Sequence, residues 1–239
     1  MFVFYKFSDK GKSVLFNGKP INKAIFFKNA LHHFQECKFI LFLDNCSDTS
    51  IEFFKQFKFE KIFITTLGTG ETFRVMLDES IKLEDNEIVY FLEDDYLHCA
   101  NSKKCIEEGL NIADFVTLYD SPDKYINGFL NVYIEGGGEN TKVLLTTSTH
   151  WKYTCATTGT FAAKVSTLKR DISIFKSYIG HNVLGQSDFK DTLCFLELVK
   201  KGRKLISSIP SKSSHIISWY PFNAPIINWE NILNESKSL

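Results

Sequence analysis

No surplus of either charge marks this chain: 28 Lys and Arg residues offset 28 Asp and Glu, and the formal net charge is zero. A protein that grips nucleic acid carries a basic excess or a basic stripe to replace phosphate counterions. The short pairs Lys103-Lys104 and Lys200-Lys201 read instead as solvated helix faces, so no nucleic-acid partner is expected. Cysteine is sparse, with six residues (Cys37, Cys46, Cys99, Cys105, Cys155 and Cys194) and no CxxC pair. That spacing argues against a zinc knuckle, and thiols in apolar stretches behave as small hydrophobes, as in a reducing compartment. No run approaches the roughly 20 apolar residues of a membrane span. The opening Met1 to Phe7 lacks the basic, apolar and small-residue segments of a secretion leader. The expectation is a soluble, cytoplasmic protein, with peripheral membrane contact left open. A GxSxG elbow is missing and no Cys sits in a catalytic setting, which argues against a nucleophilic hydrolase. Repeats, low-complexity linkers and domain boundaries are also missing, so the 239 residues read as one domain.

What is present is an ordinary globular composition, 44% hydrophobic, with 23 Phe residues to fill a core. The first half alternates strand and helix signals. Phe2–Phe7 is an apolar strand, 23–34 a helix, 38–43 (KFILFL) a strand apolar on both faces, 49–57 a helix and 61–66 a β-branched strand. After Gly68-Thr69-Gly70 comes a helix whose Phe73, Met76, Leu77, Ser80 and Ile81 share one face. The strand 87–92 (EIVYFL) then ends in Glu93-Asp94-Asp95. This order implies an α/β fold, a parallel sheet flanked by helices. Ligands bind such sheets beyond the carboxyl ends of the strands, where both Asp44 and Glu93–Asp95 fall.

The second half is less regular. Strands are expected at 115–119, 141–147, 155–163 and 205–209, and helices at 165–178 and 188–201, the last with Phe189, Leu193, Leu196 and Val199 on its apolar side. The triple glycine at 136–138 reads as flexible and the tail from 219 as irregular.

Carboxylates crowded at a strand end repel one another, and burying them is costly unless a cation neutralises them. Oxygen ligands of this kind suit Mg2+ or Mn2+, ions that keep positions for substrate phosphates. A solvated acidic turn is the plain alternative; the preceding apolar strand weighs against it. Gly68-Thr69-Gly70 opens a helix, so the N–H groups near Gly70 would favour an anion, and Arg74 one turn on would add a phosphate contact. A tight glycine turn and a helix-surface Arg are the simpler readings.

At this point the chain resembles the GT-A glycosyltransferases, family 2-like. IVYFLEDDYLH resembles their DxD motif, as Glu93-Asp94-Asp95. YKFSDKG, FILFLDNCSDTS and GTGETFRVMLDESI resemble the nucleotide-binding half of that fold in the same order, and SIPSKSSHI its metal-binding His segment. The resemblance implies a mostly parallel central sheet flanked by helices, a nucleotide-binding half near 1–100, an acceptor-binding half near 101–218 and a tail over 219–239. It implies a metal-dependent sugar transfer from a UDP- or GDP-sugar to a glycan, lipid-linked or protein acceptor, with Mn2+ or Mg2+ as cofactor. Asp95 would bind the metal, Glu93 would face the ribose or the metal's water shell, and Asp94 would position the donor sugar. Asp44 would accept hydrogen bonds from the base, Phe7 or Ser8 would line the base pocket, and His215 would bind the metal or the diphosphate. Asp188 would be the general base of an inverting displacement, with Asp191 in reserve; Ser187 stands where the family's pattern has an acid. As N-cap or first-turn acids of a helix, Asp188 and Asp191 also have an ordinary structural reading.

His98, Asp120, His150 and Trp151 are further candidates for acceptor contact, Trp151 because a ring can stack on a sugar face. Each also has an ordinary core or surface reading. Two other functions stay open. A sugar nucleotidyltransferase would share the sheet and the acids, although the first loop matches its Gly-rich basic signature poorly. A catalytically inactive, carbohydrate-binding relative would share the fold alone. Oligomeric state is open.

Overall fold

A computed structural model of the chain describes residues 1–10, 14–16, 19–125, 141–182, 184–215 and 227–239. The glycines at 136–138 and the aromatic segment 219–222 lie outside them. Chain order runs β1 (Phe2–Phe7), β2 (Leu15–Phe16), β3 (Lys19–Pro20), α1 (Ala24–His33), β4 (Lys38–Asp44), α2 (Asp48–Lys55), β5 (Lys61–Thr65), α3 (Thr69–Ser80), β6 (Ile88–Leu92), β7 (Tyr96–His98) and α4 (Ser102–Gly109). It continues through β8 (Phe115–Thr117), β9 (Val143–Leu145), β10 (His150–Tyr153), β11 (Phe161–Lys164), α5 (Val165–Ser177), β12 (Ile179–His181), β13 (Ser187–Phe189), α6 (Asp191–Lys200), β14 (Leu205–Ile209), β15 (Ser213–His215) and α7 (Trp229–Ser236).

Nine strands make one sheet in the order β5-β4-β1-β6-β11-β8-β14-β10-β9. The pairs β5–β4, β4–β1, β1–β6 and β8–β14 are parallel, and only β11 and β10 run against their neighbours. The sheet is therefore mostly parallel in direction, as expected. The strands β1, β4 and β6 read apolar almost throughout because both faces are covered there. Val3, Tyr5 and Phe7 of β1 pack in one core with Phe27 and Phe34 of the α1 region and Phe54 of α2. Phe2 and Phe4 face the other core, with Phe73 of α3, Phe175 of α5 and Phe195 of α6. Burying each such ring contributes on the order of 2 kcal/mol, so the phenylalanines supply much of the driving force.

Topology places the site. The chain steps outward from β1 to β4 and β5, then crosses back over β1 to reach β6 on its other side. That reversal makes the carboxyl ends of β1 and β6 a switch point, where adjoining connections diverge and leave a crevice. Asp44, the last residue of β4, and Glu93–Asp95, just beyond β6, flank the end of β1 as the pattern requires.

Several expectations fail in the second half. Residues 187–189 are not the start of a helix but a strand paired with β12, and the helix begins at Asp191. Phe189 explains this: it fits between Phe73 and Phe175, 4.3 and 6.3 Å away, and the hairpin carries it there. The buried side of α6 is formed by Cys194, Phe195 and Leu198, while Leu193 and Val199, expected inside, are exposed. The strand expected over 155–163 begins only at Phe161. Within the tail read as irregular, Trp229–Ser236 forms a helix whose Trp229 and Leu233 join Phe26 and Leu97 in a third small core.

The hairpin sits on α3 without a gap. A Cβ added at Gly70 would lie 2.4 Å from the Asp188 carbonyl oxygen. The glycine near the helix start thus serves backbone-to-backbone contact. Helix propensity alone favours Gly70→Ala by about 1 kcal/mol. The contact with rigid backbone reverses that sign: Gly70→Ala should destabilise the protein by about 1–3 kcal/mol in chemical denaturation.

Candidate active site

Three acids follow β6, and each is met by a cation from a different part of the chain. Lys6, the one charge inside β1, donates from Nζ to Glu93 Oε1 at 2.5 Å. Lys23, just before α1, donates to Asp94 Oδ2 and to the Ser8 carbonyl, both at 2.9 Å, while the Ser8 N–H donates to Asp94 Oδ2 at 2.8 Å. His215 Nε2 lies 2.9 Å from Asp95 Oδ2. It is brought there by β15 pairing with β7, which sets His215 opposite Tyr96. Its ring stacks on Tyr96 at 4.9 Å and meets the edge of Tyr119 at 5.9 Å.

The charges respond to this crowding. Burial pushes the Asp94 carboxyl up; Lys23 pulls it down and the Asp95 charge raises it again, to about 6. Burial would raise Asp95 as well, but the His215 charge and hydrogen bond outweigh it and hold the group below the usual carboxylate range. For His215, burial lowers the imidazole and Asp95 more than reverses that, with Glu93 and Asp94 behind it. Lys6 is likewise raised, its burial offset by Glu93 and then by Asp94 and Asp95.

Glu93 and Asp94 are thereby engaged, and one oxygen in the triplet stands out. Asp95 Oδ1 is buried and has no hydrogen-bond partner among the described residues. A buried anionic oxygen left unpaired is costly unless something else binds it. Among the described residues, no group of three or more His, Cys, Asp or Glu is arranged to hold a metal ion. Asp95 Oδ1 offers one oxygen, and His215 would add one nitrogen as the neutral imidazole, with Nε2 released from Asp95 Oδ2. That set fits a divalent ion which draws its other ligands from phosphate and water.

Asp44, expected to meet the base, is engaged by the chain. Its carboxylate accepts from Thr65 Oγ1 (2.9 Å), Leu67 N (2.8 Å), Gly68 N (3.1 Å) and Asn45 Nδ2 (2.9 Å). The acceptor positions of a carboxylate are then filled by the chain itself, which ties the β5–α3 turn to the end of β4. Phe7 is buried against Phe54 at 4.7 Å, whereas Ser8 is half-buried beside Asp94. Arg74 is half-buried and forms a two-point contact with Glu71 of its own helix, at 2.9 and 3.3 Å. Ser187 Oγ accepts from Glu71 N at 2.7 Å, fastening the hairpin to α3. Asp188, on the same hairpin, is half-buried and its carboxylate has no hydrogen-bond partner among the described residues. Asp191 Oδ2 accepts from Thr157 N, Thr157 Oγ1 and Gly159 N at 3.2, 3.1 and 3.3 Å.

The acceptor candidates are mostly internal. His98 is fully buried, with Nε2 2.8 Å from the Tyr90 hydroxyl and its backbone held by Asn29 on both sides; burial drives its imidazole well below the usual range. Trp151 is fully buried with Nε1 donating to Thr146 Oγ1 at 3.0 Å, so its ring fills the core and has no face for a sugar. Asp120 is buried in an ion pair with Lys152 at 2.9 Å and accepts from the Tyr125 hydroxyl. Only His150 is exposed, at the start of β10. Inward-facing positions on strands look the same in sequence whether a polar group meets a ligand or a neighbour.

Lys6, Lys23, Tyr96 and the turn 157–159 are absent from the sequence-based candidates. Lys6 alone carries a signal, since a charge within the apolar run FVFYKF needs a partner. The others gain meaning only through tertiary contact.

For Asp44, burial would raise the carboxyl, but donation from Asn45, Thr65, Leu67 and Gly68 outweighs it and holds the group below its ordinary 3.8. A carboxyl depressed in the native state stabilises fully above the unfolded value and loses that contribution as pH falls through the native one. Asp44→Asn should therefore cost about 2–3 kcal/mol near neutral pH. The gap from wild type should close below about pH 4 in denaturation curves taken across pH.

No family model and no curated protein matches the chain. Solved structures do. One is GalNAc-T7 with UDP, GalNAc and Mn2+, at 13% identity and a TM-score of 0.58, covering 99% of this chain and 49% of that one. Another is the nucleoside-diphosphate-sugar pyrophosphorylase from Vibrio cholerae RC9, at 12% identity and a TM-score of 0.50, covering 98% of this chain and 100% of that one. A third is CMP:2-keto-3-deoxy-manno-octonic acid synthetase complexed with CTP, at 13% identity and a TM-score of 0.50, covering 99% and 98%. Among the described residues, no helix is long and apolar enough to cross a membrane. At these identities the likeness is one of architecture, and the architecture is the nucleotide-diphospho-sugar transferase-like fold.

Proposed function

We propose that this protein is a metal-dependent glycosyltransferase that moves a sugar from a nucleoside-diphosphate sugar to a hydroxyl acceptor. The observation that carries the reading is Asp95: a buried carboxylate with an unpartnered oxygen, paired with His215, at the switch point of a nucleotide-sugar transferase-like sheet. GalNAc-T7, which shares the fold, is described with UDP and Mn2+. Asp95 and His215 would hold Mn2+ or Mg2+. Such an ion, when bound, offsets charge on the leaving diphosphate as a Lewis acid.

The chain's own residues supply the rest. Lys6 and Lys23 hold Glu93 and Asp94 in place and keep three carboxylates together before any ligand arrives. The nucleotide would lie over the ends of β1 and β4, beside Ser8. Asp188 is the better base of the two candidates, because its carboxylate is unengaged among the described residues whereas that of Asp191 is already bonded. It would take the acceptor proton as the hydroxyl attacks the anomeric carbon, a single in-line displacement with inversion. The acceptor is a glycan, a lipid-linked sugar or a protein hydroxyl.

A sugar nucleotidyltransferase is the second reading, since the pyrophosphorylase and the synthetase share this fold. The product separates the two: a transferase releases nucleoside diphosphate, a nucleotidyltransferase pyrophosphate. Asp95→Ala should weaken Mn2+-dependent binding of a nucleotide-sugar by roughly 100-fold or more in calorimetry, the several kcal/mol expected of a lost metal ligand. Undiminished binding and turnover in that variant would remove the metal assignment.

A further inference from the structure

The turn at 157–159 is held in an unusual state, and two of the residues that touch it, Glu93 and Tyr96, bracket Asp95 in the chain. Thr158 has φ +52° and Gly159 φ +78°. For a β-branched residue the left-handed region is strained, by about 1–3 kcal/mol, and persists only where the surroundings impose it. Here they impose it from two directions. On the side of the acidic motif, Tyr96 Oη donates to the Thr158 carbonyl at 2.7 Å, and Glu93 N approaches Thr160 Oγ1 at 3.5 Å. Gly159 is pressed against the Glu93 carboxyl, for a Cβ there would lie 2.9 Å from its Cδ. From the β13–α6 segment, the Asp191 carboxylate accepts from two N–H groups of the turn, those of Thr157 and Gly159, and from the Thr157 hydroxyl.

An acid in the first turn of a helix ordinarily complements the helix's own N–H groups. Asp191 does not: Oδ2 is spent on the 157–159 turn, and Lys190, the residue before α6, makes no side-chain cap. Two residues upstream, Phe189 lines a cavity of about 20 Å³ together with Lys6, Glu93 and Gly159. The β13–α6 segment and the acidic motif thus meet through this one turn.

We propose that Asp191 is a positioning residue: by holding Thr157 and Gly159 it forces the strained turn against Glu93 and Tyr96 and so sets where the Asp95–His215 pair stands relative to the β13–α6 segment. The role rests on the transferase reading for its effect on catalysis, but not for its effect on the turn. A displacement of about 1 Å at such a site is enough to cost on the order of 100-fold in rate.

The test compares Asp191→Ala, Asp191→Asn and Thr157→Val with wild type, by hydrogen exchange of the 154–160 segment and by sugar-transfer kinetics with Mn2+. Asp191→Ala should speed exchange in that segment and lower kcat roughly 100-fold, with KM for the donor little changed. Asp191→Asn keeps an acceptor oxygen and should recover most of the loss with the same pH profile. Thr157→Val removes one donor from the other side and should give a smaller change of the same kind, readable even if Asp191→Ala does not fold. Unchanged exchange in Asp191→Ala overturns the proposal. So does an Asp191→Asn variant that is as inactive as Asp191→Ala while its turn stays protected, for that marks a proton acceptor. Faster exchange in a protein whose wild type transfers no sugar sinks the transferase reading and leaves the hold on the turn established.

Discussion

Three carboxylates in consecutive positions, all near the end of one buried strand, are the constraint around which this molecule is arranged. At close range and an intermediate effective dielectric, each like-charge pair repels by several kcal/mol. That cost is met by Lys6 from β1, Lys23 from the approach to α1 and His215 from β15. None of the three is near the acids in sequence. Each requires its own element to be in place, so the site forms only when the fold does.

The sheet supplies the rigidity this arrangement needs. Aromatic rings cover both of its faces; Phe161 and Phe175 stack at 5.6 Å and Phe42 and Phe63 at 4.8 Å. Interiors packed in this way resist small displacements. The acids emerge directly from β6, the neighbouring strand β1 brings Lys6 to them, and the small β15–β7 ladder fixes His215, which comes from much later in the chain. The third core, where α7 covers α1 and β7, supports that ladder from behind.

Polar groups divide into those that bind one another and those that remain available. Asp44, Asp120 and Asp191 all sit where a ligand contact is plausible by position, and each carboxylate already has partners in the chain. Asp95 differs from these three carboxylates in having a buried oxygen with no partner among the described residues.

Much of the first half was legible in the sequence. Apolar runs such as KFILFL and IVYFL announce strands covered on both faces, their alternation with helices implies parallel order, and that order puts Asp44 and Glu93–Asp95 at strand ends. These signals are local, set by periodicity and by the cost of burying charge. What the tertiary structure alone decided is which charge meets which: that Lys6 takes Glu93, that His215 returns to Asp95, that Asp191 turns away from its own helix and that Trp151 faces inward. It also decided that Ser187–Phe189 would be a strand and that α6 would bury Cys194, Phe195 and Leu198. The physical reason is the same in each case. A strand register or a buried ion pair gains its free energy from a partner distant in the chain, and a sequence states the partners without stating the pairing.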